Sequence, residues 1–142
     1  MYTQQPIGVP IIVLSPEGKV LMAERIKVYG SGLYGMPGGH IELNESIQET
    51  VKRELMEETG LVAEEMEFVG VVRELQKKEY NFIHFGFFVK KFHGELKNVE
   101  PTKSKDWEWV SIDQLPENIL PGHKAVLDMF KNQNTRRFRD LV

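Results

Sequence analysis

The stretch GGHIELNESIQETVKRELMEETGL, residues 38–61, constrains the fold more than any other part of the chain. Most of it has the marks of a helix over Ser46–Thr59. Ser46 and Glu49 form a potential capping box, in which each side chain bonds the backbone N–H of the other residue, and Asn44 is an alternative N-cap. Gly60 supplies the left-handed residue that commonly ends a helix. The stretch therefore predicts a helix that its own sequence bounds at both ends.

Three glutamates, Glu54, Glu57 and Glu58, crowd the end of this helix. On a helical wheel they flank the apolar stripe instead of standing opposite it. The stripe consists of Ile47, Val51 and Leu55. Glu54 has like charges at i+3 and i+4, and acids late in a helix also oppose its dipole. Such crowding is typical either of an ordinary solvated acidic helix or of a site that binds a cation, and the charges alone favour neither.

Composition limits the class of protein. A chain of 142 residues, of which 41% are hydrophobic, predicts a single domain over 1–142, with a basic, solvated or frayed tail over 133–142. The formal charge of −3 argues against nucleic acid polymers and anionic membranes as partners. The sequence has no cysteine, which leaves oxygen and imidazole as metal ligands. Its N-terminal apolar run is too short to span a membrane, so a cytoplasmic protein is expected.

The remaining chain mixes strand and helix patterns around a glycine-rich loop, KVYGSGLYGMPGGH. The predicted strands are Ile7–Leu14, its hairpin partner Val20–Arg25, Met66–Leu75, Tyr80–Phe92 and the short DWEWV segment, and a last helix is predicted over His123–Asn132. This order predicts an α/β (α+β) fold.

The stretch also resembles a known family signature. From Gly39 the chain has five residues, Glu45, seven residues, and then RELMEETGL, which matches all nine fixed positions of the Nudix box. The segments VLMAER, MPGGHIE and NVEPTKSKDWEWVSIDQLP extend the resemblance to the MutT-like subgroup, roughly from Gly8 to Pro116. The resemblance implies a Nudix fold, an α/β/α sandwich with a central mixed β-sheet, and a nucleotide pyrophosphohydrolase.

The resemblance also implies roles for the residues of the box. The carbonyl of Gly38 and the carboxylates of Glu54, Glu57 and Glu58 would hold Mg²⁺, with Mn²⁺ as a substitute, and oxygen ligands suit such hard cations. Glu54 and Glu57 are both candidates for orienting the attacking water, and Arg53 would hold the carboxylates in place. Glu45 would support the loop and helix geometry or stabilise the helix start.

Signals outside the box are weaker. Members of the family draw a further acid from a later loop, and Glu100 is favoured over Asp106 and Glu108 because it precedes a proline in a loop. Arg25, Gly39 and His40 flank the expected phosphate path, where the two basic side chains could bond phosphate oxygens. The aromatic-rich strand around Phe82, His84, Phe85 and Phe88 is more typical of core than of base stacking, and Trp107 and Trp109 are expected to pack on the sheet.

The expected reaction is hydrolysis of a nucleoside triphosphate, including oxidised ones, to a monophosphate and pyrophosphate. The alternatives are a nucleoside diphosphate linked to another group, such as ADP-ribose, NADH or a nucleotide sugar, and a nucleotide sensor without catalysis. The complete set of box carboxylates favours an enzyme over a sensor. A homodimer is compatible with the resemblance.

Overall fold

The computed structural model describes residues 4–27, 29–75, 81–133 and 137–141, and within these ranges it has eight strands and two helices. In chain order the elements are β1 (Ile7–Gly8), β2 (Ile11–Val13), β3 (Lys19–Glu24), β4 (Tyr34–Gly35), α1 (Ile47–Thr59), β5 (Val62–Leu75), β6 (Asn81–His93), β7 (Glu108–Ser111), α2 (Pro121–Lys131) and β8 (Phe138–Leu141).

The larger sheet is mixed. Its centre is the long antiparallel pair of β5 and β6, in which Val72 lies opposite His84. Strands β1 and β2 follow one another along the outer edge of β6 and run parallel to it, while β8 runs parallel to β5 on the other side. A smaller antiparallel sheet has the order β4-β3-β7. The predicted mixed sheet is therefore confirmed.

Two cores lie on opposite sides of this framework. Val51 and Leu55 of α1 pack in the first core with Ile11 and Val13, whereas α2 packs in the second core with Ile12. Strand β3 alternates in the same way, since Leu21 belongs to the first core and its neighbours to the second. Strands buried on both faces read as continuous apolar runs, as β2 and β3 do. The layering is that of the predicted α/β/α sandwich.

Two details of the strand prediction were wrong. The Ile7–Leu14 segment is two strands, because Pro10 between them has no N–H to give to a ladder and Val9 donates its own to Gly39 O (2.9 Å). Within the described ranges, strand β3 pairs with β4 and β7 and not with β2, and the predicted hairpin is represented by an isolated bridge between Leu14, just after β2, and Val20.

The tail was expected to be solvated or frayed. Residues 138–141 form β8, whose backbone pairs with β5 from Val71 to Glu74. The side chains of this strand are nevertheless largely exposed, as expected for a solvated segment. The tail therefore adds an edge strand to the larger sheet.

Among the described residues, neither helix is long and apolar enough to cross a membrane.

Candidate active site

Helix α1 is bounded by caps at both ends. Ser46 Oγ accepts the N–H of Glu49 (3.1 Å) and a carboxylate oxygen of Glu49 accepts the N–H of Ser46 (2.7 Å), so the capping box forms and Asn44 is not the N-cap. Gly60 ends the helix in the left-handed conformation, with φ of 76°. Because the ends are defined and the apolar face is buried, the acidic edge of the last two turns faces the neighbouring loops.

Arg53 ties this edge to the loop before the helix. Its guanidinium donates to both carboxylate oxygens of Glu45 (2.6 and 3.0 Å), to Glu54 (2.8 Å), to Glu57 (3.1 Å) and to the carbonyl of His40 (3.0 Å). The hydrogen bonds from Arg53 are the main cause that lowers the pKa of Glu45 to about 2. Glu45 therefore serves the loop and helix geometry, which was one of its two expected roles.

Two glycines allow the backbone of the loop before α1 to lie close to the carboxylates of the helix. The N–H of Gly38 donates to Glu58 Oε2 at 3.1 Å. A β-carbon on Gly38 would lie 2.5 Å from the carbonyl oxygen of Val9, and one on Gly39 would overlap the carboxyl group of Glu54. Gly38 therefore has no room for a side chain against the Val9 backbone, whereas at Gly39 the obstacle is the end of the Glu54 side chain.

A second loop, residues 94–107, closes the other side. The carbonyl of Glu58 accepts the N–H of Val99 (3.3 Å) and the indole N–H of Trp107 (3.1 Å), and the carbonyl of Thr59 accepts the N–H of Lys97 (2.9 Å). These bonds satisfy carbonyls that the helix end would otherwise leave without partners. They also hold Glu100 beside the acidic edge of α1.

The two loops and α1 enclose a cavity of about 350 Å³, called the acid cavity below. Its wall brings together seven of the nine predicted site residues, namely Arg25, Gly38, Gly39, His40, Glu54, Glu58 and Glu100. The other two are Arg53, which lies behind the wall, and Glu57, whose side chain is 54% exposed and bonded to Arg53. Asp106 and Glu108, the rival candidates for the later acid, line a separate shallow depression.

The carboxylates of the acid cavity are close enough to affect one another's ionisation. Burial is the largest cause that raises the pKa of Glu58 to about 8, and the charges of Glu54 and Glu100 add to it against the hydrogen bond from Gly38. Burial also raises the pKa of Glu54, although Arg53 opposes the shift. An environment that penalises negative charge in this way is one that a cation would relieve.

The donor set of the cavity fits a hard divalent cation. Glu54, Glu58 and Glu100 offer carboxylate oxygens, which Mg²⁺ prefers. Within the described part of the chain, no group of three His, Cys, Asp or Glu side chains is already arranged to hold a metal ion. A bound Mg²⁺ would therefore take part of its coordination from waters and substrate phosphates.

A smaller cavity of about 80 Å³, the aromatic cavity, adjoins the acid cavity and shares Arg25, Gly38, Gly39 and His40 with it. Phe82 forms much of its wall and has ring centroids 5.3 Å from His40, 5.4 Å from His84 and 5.5 Å from Tyr29. Phe82 and His84 therefore line a recess. Trp107 and Trp109 pack against the first core, as predicted.

The sequence analysis missed a buried polar pair behind this recess. Glu74, 1% exposed, lies with Oε2 at 2.8 Å from Nε2 of His84, and neither Glu74 Oε1 nor His84 Nδ1 has a partner among the described residues. Glu74 continues the inward series of Gly70 and Val72 along β5. The pair could have been predicted from the sequence because Glu74 is a charged residue at an inward position of a strand whose side chains alternate.

His123 at the start of α2 is a second missed residue. Its Nδ1 accepts the N–H of Met36 (2.9 Å), and burial is the main cause that holds its pKa well below the usual value. The ring is therefore neutral, with its hydrogen on Nε2. It completes the wall of the aromatic cavity beside His84.

The raised pKa of Glu58 predicts a pH effect on stability in the metal-free protein. Between about pH 4.5 and pH 8 the unfolded chain loses the Glu58 proton while the folded chain keeps it, so rising pH favours unfolding. Urea unfolding in a chelator should show that Glu58→Gln gains stability relative to the wild type as pH rises through this interval. Glu65→Gln, which changes an exposed carboxylate of β5, is the control. A wild-type to Glu58→Gln difference that is constant with pH would contradict the assignment.

Comparison with known proteins places this site in a family. The NUDIX domain profile matches residues 4–130. The chain is 31% identical over 132 residues to a Bacillus subtilis protein described as "Putative 8-oxo-dGTP diphosphatase". This alignment covers 93% of the present chain and 82% of the Bacillus protein. It is 30% identical over 150 residues to an RNA pyrophosphohydrolase of Erythrobacter litoralis, with coverages of 93% and 89%.

The fold is likewise similar to that of solved structures. The crystal structure of a MutT NUDIX hydrolase from Burkholderia pseudomallei superposes with a TM-score of 0.83 at 24% identity, covering 89% of this chain and 98% of that one. The family profile spans the box, both loops and both helices. The chain thus belongs to the NUDIX domain family and is a MutT-like hydrolase of phosphoanhydride bonds.

Proposed function

We propose that this protein is an Mg²⁺-dependent nucleotide pyrophosphohydrolase that cleaves a nucleoside triphosphate, oxidised deoxynucleotides included, to a monophosphate and pyrophosphate. The observation that carries the proposal is that the acid and aromatic cavities share four wall residues. A ligand that spans both cavities needs a polyanionic end and a flat aromatic end. A nucleotide has both.

The phosphates belong in the acid cavity. Glu54, Glu58 and Glu100 would hold the metal together with the carbonyl of Gly38, and Glu57 joins them only if it turns away from Arg53. When bound, Mg²⁺, or Mn²⁺ in its place, supplies neutralisation of charge on the phosphate oxygens. Arg25 and His40 of the same wall would add charge-assisted hydrogen bonds, and the missing side chain of Gly39 leaves room for the Glu54 carboxylate beside the phosphates.

Hydrolysis needs a water that is aimed in line with the scissile bond. The position of Glu54 in the cavity wall favours it over Glu57 as the carboxylate that orients this water and takes its proton. The water oxygen then forms a bond to phosphorus while the bridging P–O bond breaks and leaves its electron pair on pyrophosphate. Arg53 positions Glu54 through the 2.8 Å hydrogen bond and does not itself touch the substrate.

The base belongs beside the aromatic cavity. At about 80 Å³ this recess holds less than a whole nucleobase, so the base would lie across its mouth and stack on Phe82. His40 lines both cavities and so stands at the boundary between phosphate and nucleoside. The proposal assigns the enzyme to the cytoplasm, where nucleotide pools are found.

Two relatives support different substrates. The name of the Bacillus relative supports an oxidised deoxynucleoside triphosphate, and that of the Erythrobacter relative supports the 5′ end of RNA as the second candidate. The formal charge of −3 offers no broad basic surface for an RNA chain, which favours the free nucleotide.

A substrate screen separates these candidates. The purified protein with Mg²⁺ is assayed against dNTPs, 8-oxo-dGTP, 5′-triphosphorylated RNA, ADP-ribose, NADH and a nucleotide sugar, with product identity read by chromatography. We expect a triphosphate to give the highest kcat/KM, with monophosphate and pyrophosphate as products. If ADP-ribose exceeds every triphosphate by about tenfold, or 1.4 kcal/mol, the substrate class is wrong. Nucleotide binding without turnover of any compound would instead identify a sensor.

Substitution of the box carboxylates tests the chemistry. Glu54→Gln, Glu57→Gln and Glu58→Gln should each lower kcat by roughly two to four orders of magnitude, because each removes a charge from metal binding or water activation. Glu65→Gln, at an exposed position of β5, is the matched control and should keep full activity. Unfolding curves for each variant show whether the fold is intact. A variant that unfolds instead of losing turnover would point to a structural role for that glutamate.

A change at Phe82 tests the position of the base. Phe82→Ala removes the stacking surface and should raise KM for a nucleoside triphosphate by roughly 5- to 100-fold, the range expected for loss of one stacked base. Hydrolysis of inorganic tripolyphosphate, which has no base, should change little. Phe138→Ala, on the exposed strand β8, is the control. If Phe82→Ala affected the nucleoside triphosphate and tripolyphosphate equally, the proposed position of the base at this recess would be contradicted.

A further inference from the structure

Two lysines in the loop before β7 have different partners. Nζ of Lys103 lies 2.8 Å from Glu100 Oε2 in the wall of the acid cavity. Nζ of Lys105 lies 2.6 Å from Glu24 Oε2, and Lys105 lines the separate shallow depression. Their exposures are similar, at 55% and 62%. One lysine thus neutralises an acid of the proposed active site, and its near neighbour does not.

The backbone places Lys103 at the acid cavity. Its N–H donates to the carbonyl of Glu100 (3.0 Å), and its own carbonyl accepts the N–H of Ile26 (2.8 Å). Just after it, Ser104 forms a bridge with Arg25, and the N–H of Lys105 donates to the carbonyl of Glu24 (2.9 Å). The loop is therefore bonded to the end of β3, which keeps the stem of Lys103 at the rim of the cavity.

Lys103 is one of two permanently charged basic side chains in that wall, and the other is Arg25. Nε of Arg25 donates to the carbonyl of Tyr29 at 2.7 Å. Four acidic side chains, those of Glu42, Glu54, Glu58 and Glu100, thus share the cavity with two cations.

We infer that Lys103 is a built-in counter-ion which a divalent cation must displace from Glu100, and whose ammonium then binds a phosphate oxygen of the nucleotide. This inference rests on the proposed function. An ammonium bonded to a carboxylate competes with a metal for the same negative charge and also repels the incoming ion. The exchange is easy because ion pairs at exposed sites are weak and the lysine stem is flexible.

The inference predicts opposite effects on two kinds of binding. Without Lys103, Glu100 has no resident cation, so a divalent ion should bind the free protein more tightly. The same change removes a cation from the phosphate path, so the nucleotide should bind less tightly. A lysine with a purely structural role would not move the two affinities in opposite directions.

Lys103→Met and the matched control Lys105→Met provide the test. Mn²⁺ binding to the nucleotide-free protein is measured by electron paramagnetic resonance. We expect the Kd of Lys103→Met to be lower by roughly three- to tenfold, the effect of removing one nearby positive charge in a partly solvated site. Lys105→Met should bind Mn²⁺ as the wild type does. In the Glu100→Gln background, Lys103→Met should give a much smaller change, because the carboxylate for which the cations compete is gone.

Steady-state kinetics at saturating Mg²⁺ give the second readout. Lys103→Met should raise KM for the triphosphate several-fold with kcat within about twofold, and Lys103→Arg, which keeps the charge, should restore KM. An unchanged or higher Mn²⁺ Kd in Lys103→Met would overturn the inference, and so would an unchanged KM. Failure of the proposed function looks different, because the Mn²⁺ measurement needs no turnover: tighter Mn²⁺ binding in a protein that hydrolyses no nucleotide would refute the function alone.

Discussion

The hydrogen-bond network of Arg53 is the interaction on which the rest of the site depends. One guanidinium holds Glu45 and the His40 carbonyl on the loop side and Glu54 and Glu57 on the helix side. Without it, the loop before α1 would lose these bonds and keep the contact from the Gly38 N–H to Glu58 (3.1 Å), and the like charges of the acidic edge would repel one another unopposed. A planar donor group with five N–H bonds suits this position, and the single ammonium of a lysine does not.

The packed cores of the sandwich stabilise the fold despite the repulsion among the crowded acids. Apolar side chains on both sides of the larger sheet, including Leu55 in the first core and Val126 in the second, anchor the helices independently of the site. The acids lie where α1 ends and two loops meet, so their mutual repulsion acts at the rim of a packed structure. Metal binding at this rim would offset the electrostatic repulsion between the acids without rearranging either core.

Helix α1 and the acids along its edge were predictable from the sequence because they depend on residues that are close together in the chain. The capping box, the terminal Gly60 and the apolar stripe specify α1, and the spacing of the box specifies which acids share its edge. The partners of β3 were not predictable in this way, since a short apolar strand is compatible with several neighbours. The same holds for Glu74, whose pairing with His84 depends on the register of two long strands.

The sequence by itself determined the family, helix α1 and the acids along its edge, because helix periodicity and box spacing are properties of consecutive residues. Only the tertiary structure decided that Glu100 and Lys103 face the same cavity as Glu54, that Glu57 points outward to Arg53, and that a recess lined by Phe82 adjoins the acid cavity. Those arrangements depend on contacts between residues far apart in the chain, and such contacts form only when loops and strands pack against one another.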